Sequence, residues 1–172
     1  MKRLLFTILC LAFFIASSAG CGYRLISPGR RLPPDIRSVK VTVFENHTEL
    51  QGLEIKLARA LCEELSKYQR LELAHGQADA MLTGSIEEAT SAPIYYLKGR
   101  FPQSITLKAT IKAKLVRSSD GKVLWRSGQV NASKSFSVRS EVHETELHLS
   151  AAEDALCEAA AKTIADGILF GK

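Results

Sequence analysis

The sequence predicts an α+β two-layer sandwich, in which two amphipathic helices cover one face of a four-stranded mixed sheet in the order β-α-β-β-β-α. Residues 104–116 alternate strictly between apolar and polar side chains, whereas leucines in residues 50–65 and apolar residues in 152–168 recur at three and four positions. The first pattern is typical of a half-buried strand and the second of an amphipathic helix. We expect the first strand–helix–strand unit to be parallel with a right-handed crossover, followed by an antiparallel meander.

The first half of the domain is predicted as a strand, a helix and a second strand. Residues 39–44 alternate and are β-branched, which indicates a strand. The next helix is expected to bury Leu50, Leu53, Leu57, Leu61 and Leu65. Thr48 and Gln51 have the spacing of a capping box at its start. Residues 70–73 are expected to be extended, and residues 80–86 begin almost wholly apolar, which predicts a central strand.

The second half is predicted as two strands and a final helix. Residues 87–102 are expected to form a loop or hairpin tip, before the alternating strand of residues 104–116. The sequence Ser-Asp-Gly-Lys at 119–122 indicates a hairpin turn, and residues 123–138 return as a strand with a bulge at Gly128. The last helix is predicted to start with a capping box at Ser150 and Glu153 and to end at Gly171. Its apolar stripe is expected to consist of Ala152, Leu156, Ala159, Ala160, Thr163, Ile164 and Ile168.

The N-terminus has the pattern of a secretory signal. Two basic residues precede thirteen almost wholly apolar residues at 4–16 and four small residues at 17–20. Thirteen residues make about 20 Å of helix, which is too short to span a bilayer. An ordinary signal peptidase would cut after Ser18 or Gly20 and leave Cys21 a plain thiol. Alternatively, Ser-Ala-Gly-Cys at 18–21 is a bacterial lipobox, with Ser18 in place of the usual aliphatic residue.

We favour the lipobox, in which Cys21 carries an S-diacylglycerol and an N-acyl chain. Two or more acyl chains anchor a protein stably to a membrane. Gly22 after the cysteine favours the outer membrane, by similarity to proteobacterial sorting rules. The predicted organisation is therefore a signal peptide at 1–20, a lipidated N-terminus and tether at 21–37, and one domain at 38–172.

Basic side chains are concentrated in one part of the chain. Residues 98–139 contain ten Lys or Arg and a single acid, Asp120. A solvated strand face with lysines that prevent edge pairing would explain a few of them. Ten basic residues against one acid over two adjacent strands favour contact with an anionic partner, because like charges across a sheet repel one another. The candidate anion-binding residues are Lys98, Arg100, Lys108, Lys112, Lys114, Arg126 and Lys134.

The remaining candidate chemistry is sparse. Cys62 and Cys157 each lie in a helical pattern, and they are either joined in a disulfide or are two buried free thiols. The four histidines are scattered without metal-ligand spacing, and no glycine-rich phosphate loop or hydrolase motif is present. No cofactor other than the lipid on Cys21 is expected, and no nucleic-acid motif accompanies the basic segment. These observations predict a binding or structural protein rather than an enzyme.

Four segments of the chain carry a family resemblance: CGYRL at 21–25, FENHTELQGLEIKLARAL at 44–61, ADAMLTGSI at 78–86 and SSDGKVLW at 118–125. Together with the alanine-rich last helix, they resemble the lipopolysaccharide-assembly lipoprotein family, LptE. The resemblance implies an outer-membrane lipoprotein that plugs and helps assemble the LptD β-barrel translocon and binds lipopolysaccharide. The basic strands would then face lipid phosphates or acidic residues of the barrel lumen, and Tyr95, Tyr96 and Phe101 could contact the barrel wall.

An alternative function of another class is a periplasmic lipoprotein regulator or secretion component, such as an activator of peptidoglycan synthases or a curli-secretion protein. Such proteins also show an Ala-Asp-x-x-Leu-x-Gly-x-Ile strand, which matches residues 78–86. They usually need a long disordered tether or pore-forming insertions, whereas the tether expected here is about 16 residues.

Overall fold

A long antiparallel hairpin organises the fold. The computed structural model of the protein describes residues 32–96, 102–137 and 142–171. In chain order its elements are β1 (Ser38–Val41), β2 (Glu45–Asn46), α1 (Leu53–Ser66), β3 (Glu72–Leu73), β4 (Ala80–Tyr96), β5 (Pro102–Arg117), β6 (Val123–Arg126), β7 (Val130–Ser137) and α2 (Val142–Phe170). The hairpin is formed by β4 and β5, which pair from Ala80 and Arg117 to Tyr96 and Pro102.

The predicted α+β class and the mixed sheet are confirmed, but the sheet has more strands than expected. Its order is β3-β1-β4-β5-β6, with β2 also paired to β4 and β7 also paired to β5. β1 pairs in parallel with β3 and β4, whereas β4, β5, β6 and β7 form the antiparallel meander. The predicted last strand is divided into β6 and β7 at residues 127–129, where the Ser127 hydroxyl accepts a hydrogen bond from the Ala113 N–H at 2.8 Å.

The segment predicted as a loop or hairpin tip, residues 87–102, belongs to a hairpin, but a loop of this length is wrong because β4 continues to Tyr96 and β5 begins at Pro102. β1 and β2 pair with β4 only as far as Ile86, so beyond this point β4 has β5 on one side and no paired strand on the other among the described residues. Proline within a sheet is confined to edges and bulges. Pro93 lies in this edge portion, which is why a strand with a proline can extend so far.

Both helices form, but neither capping box does. α1 buries four of the five predicted leucines, from Leu53 to Leu65, whereas Leu50 precedes the helix and is partly buried. The helix begins at Leu53 after Gly52, whose φ of 87° is in the left-handed region. The Thr48 hydroxyl instead donates to Oδ1 of Asn46 at 2.7 Å. α2 begins at Val142, so Ser150 lies inside it. The predicted end at Gly171 is confirmed by a φ of 68° directly after Phe170.

The core lies between the helices and one face of the sheet. Inward side chains of β4 and β5, such as Leu82, Ile86 and Leu115, are fully buried against the leucine stripe of α1 and the apolar stripe of α2. α2 buries Cys157, Ala161 and Ala165, whereas Ala159 and Thr163 of the predicted stripe are exposed. The buried face of α2 is therefore rotated about the helix axis, and it is broader than the sequence pattern predicts.

The N-terminal part of the described chain belongs to this core. Leu32 and Ile36 are 4% and 3% exposed, and both pack in the same cluster as the strands and helices. The carboxylate of Asp79 accepts hydrogen bonds from the backbone N–H groups of Arg37 and Ser38 at 3.0 and 2.9 Å. Residues 32–37 therefore pack against the domain that is expected to begin at residue 38.

Candidate binding face

The sheet face that the helices leave uncovered is polar. Because directly paired residues of an antiparallel sheet share a face, the register of β4, β5, β6 and β7 defines which side chains lie on it. We call this surface the polar face. It consists of Thr83, Ser85, Glu88 and Thr90 on β4, Thr106, Lys108, Thr110, Lys112 and Lys114 on β5, Arg126 on β6, and Asn131, Ser133 and Ser135 on β7.

Four of the predicted anion-binding residues lie together on the polar face. Lys108, Lys112 and Lys114 are exposed along β5, and Arg126 pairs directly with Lys114. Lys112, Lys114 and Arg126 line a shallow cavity of about 220 Å³. Around Lys108 the surface is rich in hydroxyl groups and carries one carboxylate, that of Glu88, which lines a shallow cavity together with Lys108. Thr106 and Ser135 on the same face have their hydroxyl oxygens 2.8 Å apart.

Carboxylates from other strands offset part of this positive charge. Glu87 lies beside Lys112 with 3.2 Å between Oε2 and Nζ, and it also accepts a 2.6 Å hydrogen bond from Ser85. The hydroxyl of Ser85 and the ammonium of Lys112 hold the pKa of the Glu87 carboxyl below its usual value. Glu45 lines the same cavity as Lys112 and Lys114. The basic residues come from one segment of the sequence with a single acid, but the sheet places acids from β2 and β4 among them.

Lys134 does not join this group. It pairs with the buried Leu107, so it lies on the helix side of the sheet. There it lines a separate groove with Glu63, Glu64 and Glu158, and with the basic side chains of Lys67 and Lys162. The alternation of β7 accounts for this position, because Lys134 is out of phase with Ser133 and Ser135.

Several predicted site residues lie outside the described residues. These are the proposed lipidation site Cys21 and the hairpin-tip residues Lys98, Arg100 and Phe101. Tyr95 and Tyr96 are the last two residues of β4, but only their backbone is described.

The cysteine alternatives are resolved in favour of free thiols. Cys62 is partly exposed and Cys157 is buried, and both are free. The sulfur of Cys157 lies 3.9 Å from the carbonyl oxygen of Leu53. Cys62 is nine residues further along α1, which corresponds to about 13 Å of helix. A disulfide requires its two Cα atoms within about 7 Å of each other.

Other types of site find no support in the part of the chain that the structure describes. None of its His, Cys, Asp and Glu side chains form a group of three or more that could hold a metal ion. None of its helices is both long and apolar enough to cross a bilayer.

Comparison with known protein families shows which family this chain belongs to. The family model for LptE, described as lipopolysaccharide-assembly, matches residues 36–170, which is most of the chain. The chain belongs to the LptE family. Its members are lipopolysaccharide-assembly proteins, which agrees with the binding or structural role predicted from the sequence.

Solved structures share the LptE fold of this chain at low sequence identity. A protein from Caulobacter crescentus CB15 superposes with a TM-score of 0.54 at 13% identity, over 73% of this chain and 87% of that one. The hypothetical protein CT253 from Chlamydia trachomatis gives 0.51 at 10% identity, over 77% of this chain and 98% of that one. No curated protein matches the sequence. These likenesses concern the fold alone.

Proposed function

We propose that this protein is an outer-membrane lipoprotein, anchored through Cys21, that plugs and helps assemble an LptD-type β-barrel and binds lipopolysaccharide. The family match over residues 36–170 carries the proposal. The polar face supports it, since a flat, hydroxyl-rich sheet surface with clustered cations suits phosphates and sugars. Lysine acts on phosphate as a point charge and arginine as a fork of parallel donors.

The partner is tested by purifying the lipidated protein from outer membranes in mild detergent and identifying what accompanies it. We expect a large β-barrel at one copy per copy of this protein. A Cys21→Ser variant is the control for the anchor, because it should be lost from the membrane fraction. Recovery of a peptidoglycan synthase in place of a barrel would instead support the regulator alternative.

The binding face is tested by reversing charge on opposite sides of the sheet. We expect the combined Lys108→Glu, Lys112→Glu and Lys114→Glu changes to weaken lipopolysaccharide binding by at least about tenfold. The matched control is Lys67→Glu, Lys134→Glu and Lys162→Glu, which makes the same change in net charge on the helix side.

Both variants are compared with the unchanged protein at two salt concentrations, since screening weakens exposed charge contacts. Equal losses in the two triple variants would attribute binding to net charge rather than to the polar face. A loss confined to the helix-side variant would transfer the site to the groove around Lys134.

A further inference from the structure

Two neighbouring rows of side chains cross the polar face, and they differ in charge. The first, which we call the Lys112 row, consists of Glu45 on β2, Ser85 on β4 and Lys112 on β5. The second, the Lys114 row, consists of Thr83 on β4, Lys114 on β5 and Arg126 on β6. Directly paired residues share a face, with neighbouring Cβ atoms about 5 Å apart. All six side chains therefore line the same 220 Å³ cavity.

The cation of the Lys112 row has its own counter-ion. The carboxylate of Glu87 lies 3.2 Å from Nζ of Lys112 and accepts a 2.6 Å hydrogen bond from Ser85. Glu87 has no partner in the register of β4 against β5, which shifts across residues 86–88. Such bulges redirect side chains, and this one brings Glu87 to Lys112. Because Glu45 belongs to the same row, two carboxylates accompany one ammonium, and an anion that enters here is repelled.

The Lys114 row carries two cations and no acid. Lys114 and Arg126 are exposed, and neither forms an ion pair with another residue that the structure describes. Two 2.8 Å hydrogen bonds between Ser127 and Ala113 hold the end of β6 against β5 and so keep Arg126 beside Lys114. Like charges directly opposite each other destabilise a sheet. A bound anion would remove this repulsion.

We propose that the Lys114 row binds a phosphate monoester through the ammonium of Lys114 and the guanidinium of Arg126, while Lys112 stays paired with Glu87. The inference rests on the proposed function and names the group that the polar face recognises. A phosphate monoester carries nearly two negative charges and three acceptor oxygens, so it neutralises both cations, whereas a carboxylate neutralises only one. Arginine supplies a fork of donors and lysine a point charge. Lipid phosphates therefore fit this row better than acidic residues of a barrel lumen.

Single neutral substitutions in the two rows test the assignment. Lys114→Gln and Arg126→Gln each remove one charge from the Lys114 row, and Lys112→Gln is the matched control with the same change in net charge one row away. The full-length protein, purified in mild detergent, is tested for binding to lipopolysaccharide and to the same lipopolysaccharide after hydrofluoric acid has removed its phosphates. We expect Lys114→Gln and Arg126→Gln to weaken binding of the intact form at least about fivefold, and Lys112→Gln less than about twofold. On the dephosphorylated form all the proteins should bind alike.

Two results would overturn the assignment. A loss in Lys112→Gln as large as the loss in Lys114→Gln and Arg126→Gln would attribute binding to the summed charge of the polar face. Equal losses on the intact and the dephosphorylated lipopolysaccharide would show that the row contacts a group other than phosphate. Because all three substituted side chains are exposed, each variant should fold.

Inorganic pyrophosphate tests the row without lipopolysaccharide. An anion that binds only the folded protein raises its melting temperature. At constant ionic strength, we expect pyrophosphate to raise the melting temperature of the wild type and of Lys112→Gln by at least about 2 °C. The rise in Lys114→Gln and Arg126→Gln should be less than half as large.

The two probes separate failure of this inference from failure of the proposed function. Stabilisation by pyrophosphate in this pattern, without binding of lipopolysaccharide, would support the row with a free phosphate as its ligand and would contradict the proposed function. Binding of lipopolysaccharide that neither Lys114→Gln nor Arg126→Gln weakens would overturn the row and leave the proposed function standing.

Discussion

The Nζ atom of Lys56 lies 2.9 Å from Oε2 of Glu153, and this pair joins α1 to α2. The same ammonium donates to the hydroxyl of Ser150 at 2.9 Å and lies 3.4 Å from a carboxylate oxygen of Asp154. Burial opposes the charged form of Lys56, but the hydrogen bond and charge of Glu153 outweigh it, so the pKa of Lys56 is raised. Its contribution to stability is therefore complete at neutral pH and is lost only as the pH rises through that raised pKa.

We expect Lys56→Met to lower the free energy of unfolding by about 1–2 kcal/mol, because it leaves the carboxylate of Glu153, which is only 18% exposed, without its cation. Arg59→Met is the matched control, since Arg59 also contacts Asp154 but is 62% exposed, and such pairs contribute less than about 1 kcal/mol. Urea denaturation at pH 7 measures both. Equal losses in the two variants would contradict the role given to Lys56.

Gly84 is expected to be among the least replaceable residues of the sheet. A Cβ atom at this position would lie 2.1 Å from the carbonyl oxygen of Lys112 and 2.6 Å from Cε2 of Phe44. Gly84→Ala should therefore destabilise the protein by about 3 kcal/mol, at the upper end for overpacking. Gly128→Ala meets no atom within 4 Å and should change stability by no more than about 0.5 kcal/mol.

Thermal unfolding of the two glycine variants measures this difference. Phe44→Leu combined with Gly84→Ala should recover only a small part of the loss, because the clash with the Lys112 carbonyl is with backbone. Full recovery in the double variant would show that Phe44 alone excludes a side chain at this position.

Asp79 is expected to make the stability depend on pH. The backbone N–H groups of Arg37 and Ser38, and then the Ser38 hydroxyl, lower the pKa of its carboxyl. Because the folded pKa lies below the unfolded one, the stabilisation is present above the unfolded value and is lost as the pH falls through the folded value. Asp79→Asn should therefore be less stable than the wild type at pH 7, with the difference shrinking on acidification.

Denaturation series at several pH values test this dependence. Glu49→Gln is the control for a general charge effect, since Glu49 is exposed. A difference between wild type and Asp79→Asn that stays constant down to low pH would contradict the assignment.

The two thiols of the domain should differ in reactivity. Burial raises the pKa of Cys157 to about 12, and it raises the pKa of the partly exposed Cys62 as well. Since the thiolate is the reactive form, a thiol reagent should label Cys62 first and Cys157 only after unfolding. A Cys21→Ser chain from residue 21 onward should titrate two thiols in denaturant, whereas no titratable thiol without a reductant would indicate a disulfide.

Local sequence patterns predicted much of the fold. The alternation of residues 104–116 identified β5 and the exposed position of its lysines, and the leucine spacing identified the buried stripe of α1. Glycine at 121 and 171 marked a turn and a helix end, and both residues adopt positive φ. These features depend on periodicity and on backbone conformations that few residues other than glycine adopt, so the sequence alone was sufficient for them.

Other features were decided only by the tertiary structure, because each depends on which segments become neighbours. β4 extends past Ile86 because β5 pairs with it there, and Pro93 is tolerated because the opposite edge is unpaired. Glu87 reaches Lys112 across that pairing, and the register of β7 turns Lys134 toward the helices. The sequence by itself determined the fold class and most elements, whereas strand pairing determined the charge of the polar face, since register brings together residues that no local pattern connects.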